Sequence, residues 1–245
     1  HVTKLVSQFK AMRRAPLPLS AMMYGKTTDE AERLLMRLFP AGGPALSLAA
    51  RTAFGLSPKP GSEDTIRAEV LREHLEKFCI RLPRHLALPP IALPHVRTQA
   101  QRMVLFGADP AWLDRPTDNM FCDAIAHKGH IGRVLSALAQ RFGPGEAASP
   151  ALPLATARSV FDLSIAQENS LAGRRLDHPA MHHVETIWGR GPLWRALARA
   201  LDLQALVENR FGVVTRSGPG YACVPTTRGL TGVRADVARG RVVSL

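Results

Sequence analysis

Apolar residues recur every three or four positions in several separate segments, and this spacing constrains the fold more than any other feature of the sequence. Residues at that spacing share one face of an α-helix, which a folded chain buries against its other elements. The chain is therefore predicted to be mainly helical. The two clearest stripes are Ile66, Val70, Leu71, Leu75 and Phe78, and Leu193, Leu197, Leu201 and Leu206.

Local signals place the ends of the first helices. Thr27 and Glu30 form a capping-box pattern ahead of an apolar stripe, so a helix is predicted to begin there and to break at residues 39–44. Pro44 suits the first turn of a second helix, 45–54, and Ser62 is predicted to cap a third. The proline-bearing stretch 82–94 is expected to end that third helix. Further helices are predicted at 98–106, at the end of 118–142 and at 193–211.

The last twenty residues have a different period. Val233, Ala235 and Val237 alternate with polar or small residues, as in a strand with one buried face. Arg239-Gly240 is a turn signal, and residues 241–245 would be the returning strand of a β-hairpin. Gly229, just before the first strand, would let the backbone approach another group closely. The fold class predicted is mainly α with a small β element (α+β).

Composition limits the function classes. The 245 residues are enough for one domain with a sizeable core. No apolar run reaches about 18 residues, so no membrane span is predicted. The first residues lack the apolar core and cleavage site of a signal peptide, and three scattered cysteines suggest a reducing compartment, so a cytoplasmic location is expected.

The net charge of +12 raises the alternative of a basic, helical nucleic-acid-binding protein. The arginines are dispersed and aromatic residues are few, which disfavours that alternative because it leaves little surface for base stacking. A third possibility is an enzyme of another class whose site the sequence does not reveal. Sequence motifs for nucleotide binding or a serine-hydrolase elbow are absent.

Two histidine pairs are candidate metal ligands. His182 and His183 are adjacent, so on a regular helix or strand they point apart. His127 and His130 could share a helix face, but Gly129 lies between them and a solvated pair is favoured. Cys79 falls within an apolar stripe and is expected to be a core residue.

Several segments together resemble the large subunits of nickel-iron hydrogenases, in the same order along the chain. LFPAGGPALSLAARTAF (38–54) resembles the stretch with a CxxC pair before a histidine and an alanine-rich helix. VETIWGRGPLWR (184–195) resembles V-E-T-G-P-L-A-R with an insertion. The final twenty residues resemble A-P-R-G-x-L-x-H with its strands, and IRAEVLREHLEKF (66–78) resembles the helix with a histidine-leucine pair.

This chain differs from that family at the positions of the metal ligands. Pro40 and Gly43 stand where the first CxxC pair would fall, and Ser47 stands where the histidine would fall. A nickel-iron centre needs thiolate ligands, so the resemblance implies that this chain is not a working hydrogenase and holds no permanent metal. The family's second CxxC would lie beyond Leu245. Residues 1–245 are expected to form a single large-subunit-like domain, either naturally short or trimmed at both ends.

The sequence resembles hydrogenase accessory proteins of the HupK/HoxV type better than working large subunits, because those proteins also lack much of the metal-binding set. That resemblance implies a non-catalytic scaffold in hydrogenase maturation, with maturation chaperones and the hydrogenase large subunit as partners. No firm cofactor follows; an iron-cyanide-carbonyl group held transiently would be cargo, and Gly43 replaces the cysteine expected to bind it. Arg228 and Gly229 would be site remnants, with Arg228 pointing inward toward the loop 40–44. Glu185 and Thr186 match the family's structural E-T pair.

Overall fold

The structure, a computed structural model, describes residues 18–94, 99–107, 113, 128–148, 152–162, 164–214 and 216–245. Its helices are α1 (Leu19–Met23), α2 (Thr28–Leu38), α3 (Gly43–Ala53), α4 (Ser62–Glu76), α5 (Leu82–His85), α6 (Gln99–Phe106), α7 (Gly129–Arg141), α8 (Pro179–Trp188) and α9 (Pro192–Val207). Short 3₁₀ helices occupy Pro40–Gly42 and Leu171–Arg174, and Lys77–Arg81 is a π-helical segment. The strands are β1 (Arg216–Gly218), β2 (Tyr221–Pro225), β3 (Leu230–Arg234), β4 (Asp236–Ala238) and β5 (Arg241–Ser244).

The predicted start of α2 is confirmed. Glu30 Oε2 accepts the Thr27 backbone N–H at 2.9 Å, and Thr27 Oγ1 accepts the Glu30 N–H at 3.3 Å, which together form the capping box. Pro44 lies in the first turn of α3, also as predicted. The prediction that Ser62 caps α4 is wrong. Gly61, with φ of 72°, is the residue before the helix, and Ser62 Oγ instead donates to the Lys59 carbonyl.

Helical structure also continues further than the proline pattern predicted. The Leu82 N–H bonds to the Lys77 carbonyl, so the chain widens into a π turn and runs on as α5 to His85. The next bond of this π register would join the N–H of residue 83 to the Phe78 carbonyl. Pro83 has no N–H, so the Phe78 carbonyl needs a partner outside the helix. His130 Nε2 supplies it, donating to the Phe78 carbonyl at 3.0 Å. The π turn thereby ties α4 to α7.

Two small antiparallel sheets form the β element. One has the order β1-β2-β3, and the other is the β4-β5 hairpin, whose turn is the predicted Arg239-Gly240. The single strand predicted through Val233 and Val237 is divided, because Val233 belongs to β3 and pairs with Ala222 of β2. Val237 is exposed rather than buried. Strands β1 and β2 were not predicted.

The buried apolar residues form two clusters. One surrounds α9 and includes Trp194, Leu197, Phe78 and Ile131. The other lies between α3 and the three-stranded sheet, where the small residues of α3 allow close packing. Mainly helical structure with small antiparallel sheets confirms the α+β class. Within the described ranges, no helix combines the length and apolar character needed to cross a membrane.

Candidate functional site

A cavity of about 320 Å³ lies where the π segment, α9 and the turn between β2 and β3 meet. Four basic side chains line it, and we call it the cationic cavity. Its remaining wall is largely apolar and includes Leu82, Leu138, Leu171, Ala172, Pro192 and Ala196. The basic residues are Lys77, Arg195, Arg199 and Arg228.

A network of buried polar side chains, the buried network, adjoins Arg199 and the Arg228 turn. Its centre is Asp202 of α9, whose side chain is fully buried. Asp202 Oδ1 accepts from Arg175 Nε at 2.8 Å, and Oδ2 accepts from Arg174 Nη2 and lies 3.3 Å from His74 Nε2. The carboxylate therefore has a donor on each of three side chains, as a buried charge requires.

The same contacts fix the tautomer of His74. Arg199 Nη1 lies 2.8 Å from His74 Nδ1, and a guanidinium can only donate, so Nδ1 accepts and Nε2 carries the proton that is given to Asp202. Burial lowers the pKa of His74, with Arg199 and Arg174 acting in the same direction and Asp202 opposing. Burial alone would raise the pKa of Asp202, but Arg174, His74 and Arg175 hold it well below its usual range.

The buried network also anchors the turn that carries Arg228. Arg174 Nη1 donates to the carbonyls of Thr226 and Gly229, at 3.1 Å for Thr226. Asn169 bonds both backbone groups of the following residue, Leu230, at 2.8 Å each. A Cβ on Gly229 would lie 2.4 Å from Asn169 Oδ1, so the close approach predicted for this glycine is confirmed.

Arg228 itself differs from the prediction. Arg228 is exposed and lines the cationic cavity. Pro40 lines a different groove, of about 1080 Å³, beside β3. The cavity and the groove share no lining residue. The expectation that Arg228 points inward toward the loop 40–44 is therefore wrong. The cause lies in the contacts of the turn. Arg174, in the 3₁₀ helix Leu171–Arg174, and Asn169 bond its backbone and hold it near Lys77.

The segment 38–54 contributes to a cluster of polar side chains around the buried carboxylate of Glu32. Ser47 Oγ donates to Glu32 Oε1 at 2.6 Å, and Arg51 and Lys59 bond the same buried carboxylate at 2.7 and 2.6 Å. Burial raises the pKa of Glu32, but these three bonds together leave it lowered. Gly43 begins α3 with φ of 48°, a conformation that residues with a side chain rarely adopt. The backbone at this position thus disfavours a cysteine.

Glu185 and Thr186 lie on α8. Glu185 Oε1 accepts from Arg190 Nε at 2.7 Å, and Arg195 Nη1 donates to the Arg190 carbonyl at 2.6 Å. Thr186 is exposed, and its hydroxyl donates to the His182 carbonyl within the helix. The segment 184–195 therefore reaches the cationic cavity through Arg195. It meets the Arg228 turn and the His74 helix there, while the segment 38–54 does not line this cavity.

Sequence reasoning missed the residues that organise this site. It predicted the helix that carries His74 from its apolar stripe but touched on the histidine only through a resemblance, and it did not single out Asp202, Arg174 or Arg175. One signal was available. Asp202 is a lone carboxylate between Leu201 and Leu203 in an amphipathic segment, where an unpaired charge is costly. Its partners could not be found this way, because they are distant in sequence.

Metal ligands do not converge in the described part of the chain: no group of three His, Cys, Asp or Glu side chains could hold an ion there. Burial raises the pKa of Cys79 to about 11, which disfavours the thiolate that a metal would bind. His130 is buried against Phe78, not solvated as favoured from the sequence. His127 and Cys122 lie outside the described residues.

Comparison with known proteins decides the family. The hydrogenase expression/formation protein HupK of Rhodobacter capsulatus is 36% identical over 234 residues, which are 94% of this chain and 74% of that protein. The chain belongs to the HupK family. The predicted resemblance to accessory proteins of this type is thus confirmed at the level of the family. No protein-family model matches the chain.

Proposed function

We propose that this protein is a non-catalytic accessory protein in the maturation of a nickel-iron hydrogenase. The observation that carries the proposal is the 36% identity to HupK across 94% of the chain, since that relative is named for hydrogenase expression and formation. The proposed partners are the hydrogenase large subunit and its maturation chaperones. The proposed location of these interactions is the cytoplasm.

A finer proposal concerns the fold and the step. Residues 1–245 would form a single, degenerate large-subunit-like domain that acts as a scaffold while the iron-cyanide-carbonyl group is assembled or passed to the large subunit. The order of the four family-like segments supports this. Three of those segments contribute lining residues to the cationic cavity, among them Lys77, Arg195 and Arg228.

The residues present at the loop 40–44 do not fit an iron group. Pro40 and Gly43 supply no thiolate, and the Ser47 hydroxyl is already bonded to Glu32. Soft sulfur donors are what such a metal group requires. No step of iron transfer is therefore assigned to these residues, and the proposed role is in assembly rather than in catalysis.

The test is deletion of the gene in a host that makes its own nickel-iron hydrogenase. We expect hydrogenase activity to fall and the large subunit to accumulate as its unprocessed precursor, and the wild-type gene to restore both. Full activity and full processing in the deletion strain would reject a role in maturation. Iron analysis of the accumulated large subunit separates the steps: an iron-free precursor supports the scaffold, whereas an iron-loaded one contradicts it.

Two arginines give a matched pair for the same assay. Arg228 lines the cationic cavity, whereas Arg239 lies in the exposed β4–β5 turn. If Arg228 belongs to a functional site, Arg228→Ala should lower complementation while the melting temperature stays close to wild type, and Arg239→Ala should complement fully. Equal complementation by the two variants would remove Arg228 from the proposed site.

A further inference from the structure

Three cations of the cationic cavity form no ion pair with a carboxylate in the described part of the chain. Arg195 is neutralised by Glu168, with Nη2 and Oε2 3.0 Å apart. Among the residues that the structure describes, no carboxylate forms an ion pair with Lys77, Arg199 or Arg228. Arg81, Arg174 and Arg175, by contrast, each pair with a carboxylate. The side chains of Lys77, Arg199 and Arg228 come from the π segment, α9 and the β2–β3 turn, and they converge on one volume.

The charges act on one another across that volume. The pKa of Lys77 is lowered by its burial, and the positive charges of Arg199, Arg81 and Arg228 lower it further, while Glu73 opposes them. Burial likewise lowers the pKa of Arg199; the carboxylates of Glu73 and Asp202 oppose this, and the positive charges of Arg174 and Arg228 add to it. Like charges gathered in a partly buried space cost folding free energy. A bound anion would remove that cost.

The basic groups of the cavity have a fixed geometry. Ser170 also lines the cavity, and its buried Oγ has no hydrogen-bond partner among the described residues. Arg199 is held in place because its Nη1 donates to His74 Nδ1, and the Arg228 turn is held by Arg174. Donors that are oriented before a ligand arrives are typical of binding sites, because little ordering remains to be done on binding.

We propose that the cationic cavity binds a small ligand through an oxyanion group, a phosphate or a carboxylate. Arg199 and Arg228 would supply guanidinium donors that match such a group, and Lys77 would supply a point charge. The apolar wall formed by Leu82, Leu138 and Leu171 would contact a compact apolar part of the ligand. This proposal concerns the purified protein and does not depend on its role in hydrogenase maturation.

Calorimetric titration of the purified full chain tests it, with inorganic phosphate in one arm and acetate in the other, at constant ionic strength. We expect saturable binding of one ion per chain in at least one arm. Tighter binding of phosphate identifies a phosphate-bearing ligand, and tighter binding of acetate a carboxylate. Lys77→Gln and Arg228→Gln should each weaken binding at least tenfold. Neither side chain forms an ion pair with a described residue, so neither change removes such a contact from the fold.

Arg239→Gln is the matched control, since it removes the same charge from an exposed turn away from the cavity. It should bind as the wild type does. Arg199 is left unchanged because it positions His74. The proposal is overturned if neither ion binds saturably, if the Lys77→Gln/Arg228→Gln double variant keeps wild-type affinity, or if Arg239→Gln weakens binding as much as Arg228→Gln does.

Discussion

His74 Nε2 lies 3.3 Å from Asp202 Oδ2, and both side chains are completely buried. The contact joins α4 to α9 across 128 positions of sequence. Asp202 in turn binds Arg174, which bonds the carbonyls of the β2–β3 turn. Through one carboxylate, two helices and a turn are held in fixed relation around the cationic cavity.

Asp202→Asn should therefore destabilise the protein strongly. Removal of the charge leaves the guanidinium groups of Arg174 and Arg175 buried or half-buried without their counter-ion, a change that typically costs about 3–5 kcal/mol. Urea unfolding followed by circular dichroism measures it. Asp64→Asn is the control, because Asp64 pairs with Arg67 on the surface, and its urea midpoint should hardly move. Similar midpoints for the two variants would contradict a structural role for Asp202.

Stability should decrease as the pH falls from about 6.5 toward 5, because His74 and His130 have pKa values below that of an unfolded histidine, about 6.5. In this window the unfolded chain binds more protons than the folded chain, so acid favours unfolding. Each histidine contributes at most about 1.4 kcal/mol per pH unit. Urea midpoints measured between pH 7.5 and 5 test this, and a midpoint that rises as the pH falls would contradict it.

The sequence predicted local structure well where the signal was local. The capping box of Thr27 and Glu30, Pro44 in the first turn of α3, and the Arg239-Gly240 turn each depend on residues a few positions apart. Such contacts form within one element, so their residue types alone identify them. The close approach at Gly229 was also predicted, although its partner, Asn169, was not.

The sequence could not predict which elements meet. At the π turn Lys77–Arg81 the Leu82 N–H bonds to the Lys77 carbonyl, and His130 donates to the Phe78 carbonyl that Pro83 cannot reach, and no periodicity shows this. The convergence of His74 and Asp202 is likewise a long-range contact. Family resemblance placed Arg228 near residues 40–44, whereas Arg174 holds its turn beside Lys77.

Gly229→Ala should destabilise the fold by about 1–3 kcal/mol, the usual cost of adding a methyl group to a tightly packed site. The added Cβ would lie 2.4 Å from Asn169 Oδ1 and 2.9 Å from the Asn169 carbonyl oxygen, and backbone cannot move aside easily. Gly212→Ala is the control, since no atom lies within 4 Å of its Cβ position and its φ is not positive. Thermal unfolding compares the two. A wild-type melting temperature for Gly229→Ala would show that the turn is loosely held.

Nucleic-acid binding should be weak despite the net charge of +12. Much of the positive charge is paired within the molecule, as in Arg51 with Glu32 and Arg195 with Glu168, and aromatic residues for stacking are few. Fluorescence anisotropy with duplex DNA and single-stranded RNA at physiological salt should give a Kd no tighter than about 10⁻⁴ to 10⁻⁶ M, the non-specific range. Nanomolar, salt-sensitive binding would favour a nucleic-acid-binding protein instead.

The purified protein should neither oxidise nor evolve hydrogen, and it should contain no stoichiometric nickel after anaerobic expression with the maturation machinery. Pro40 and Gly43 cannot ligate nickel, and the backbone at Gly43, with φ of 48°, disfavours a cysteine. Burial raises the pKa of the Cys79 thiol to about 11, so it does not offer a thiolate at neutral pH. Elemental analysis measures nickel per chain in this protein and in a matched preparation of the hydrogenase large subunit. One nickel per chain would require a ligand set that these residues do not provide, and it would contradict the proposed non-catalytic role.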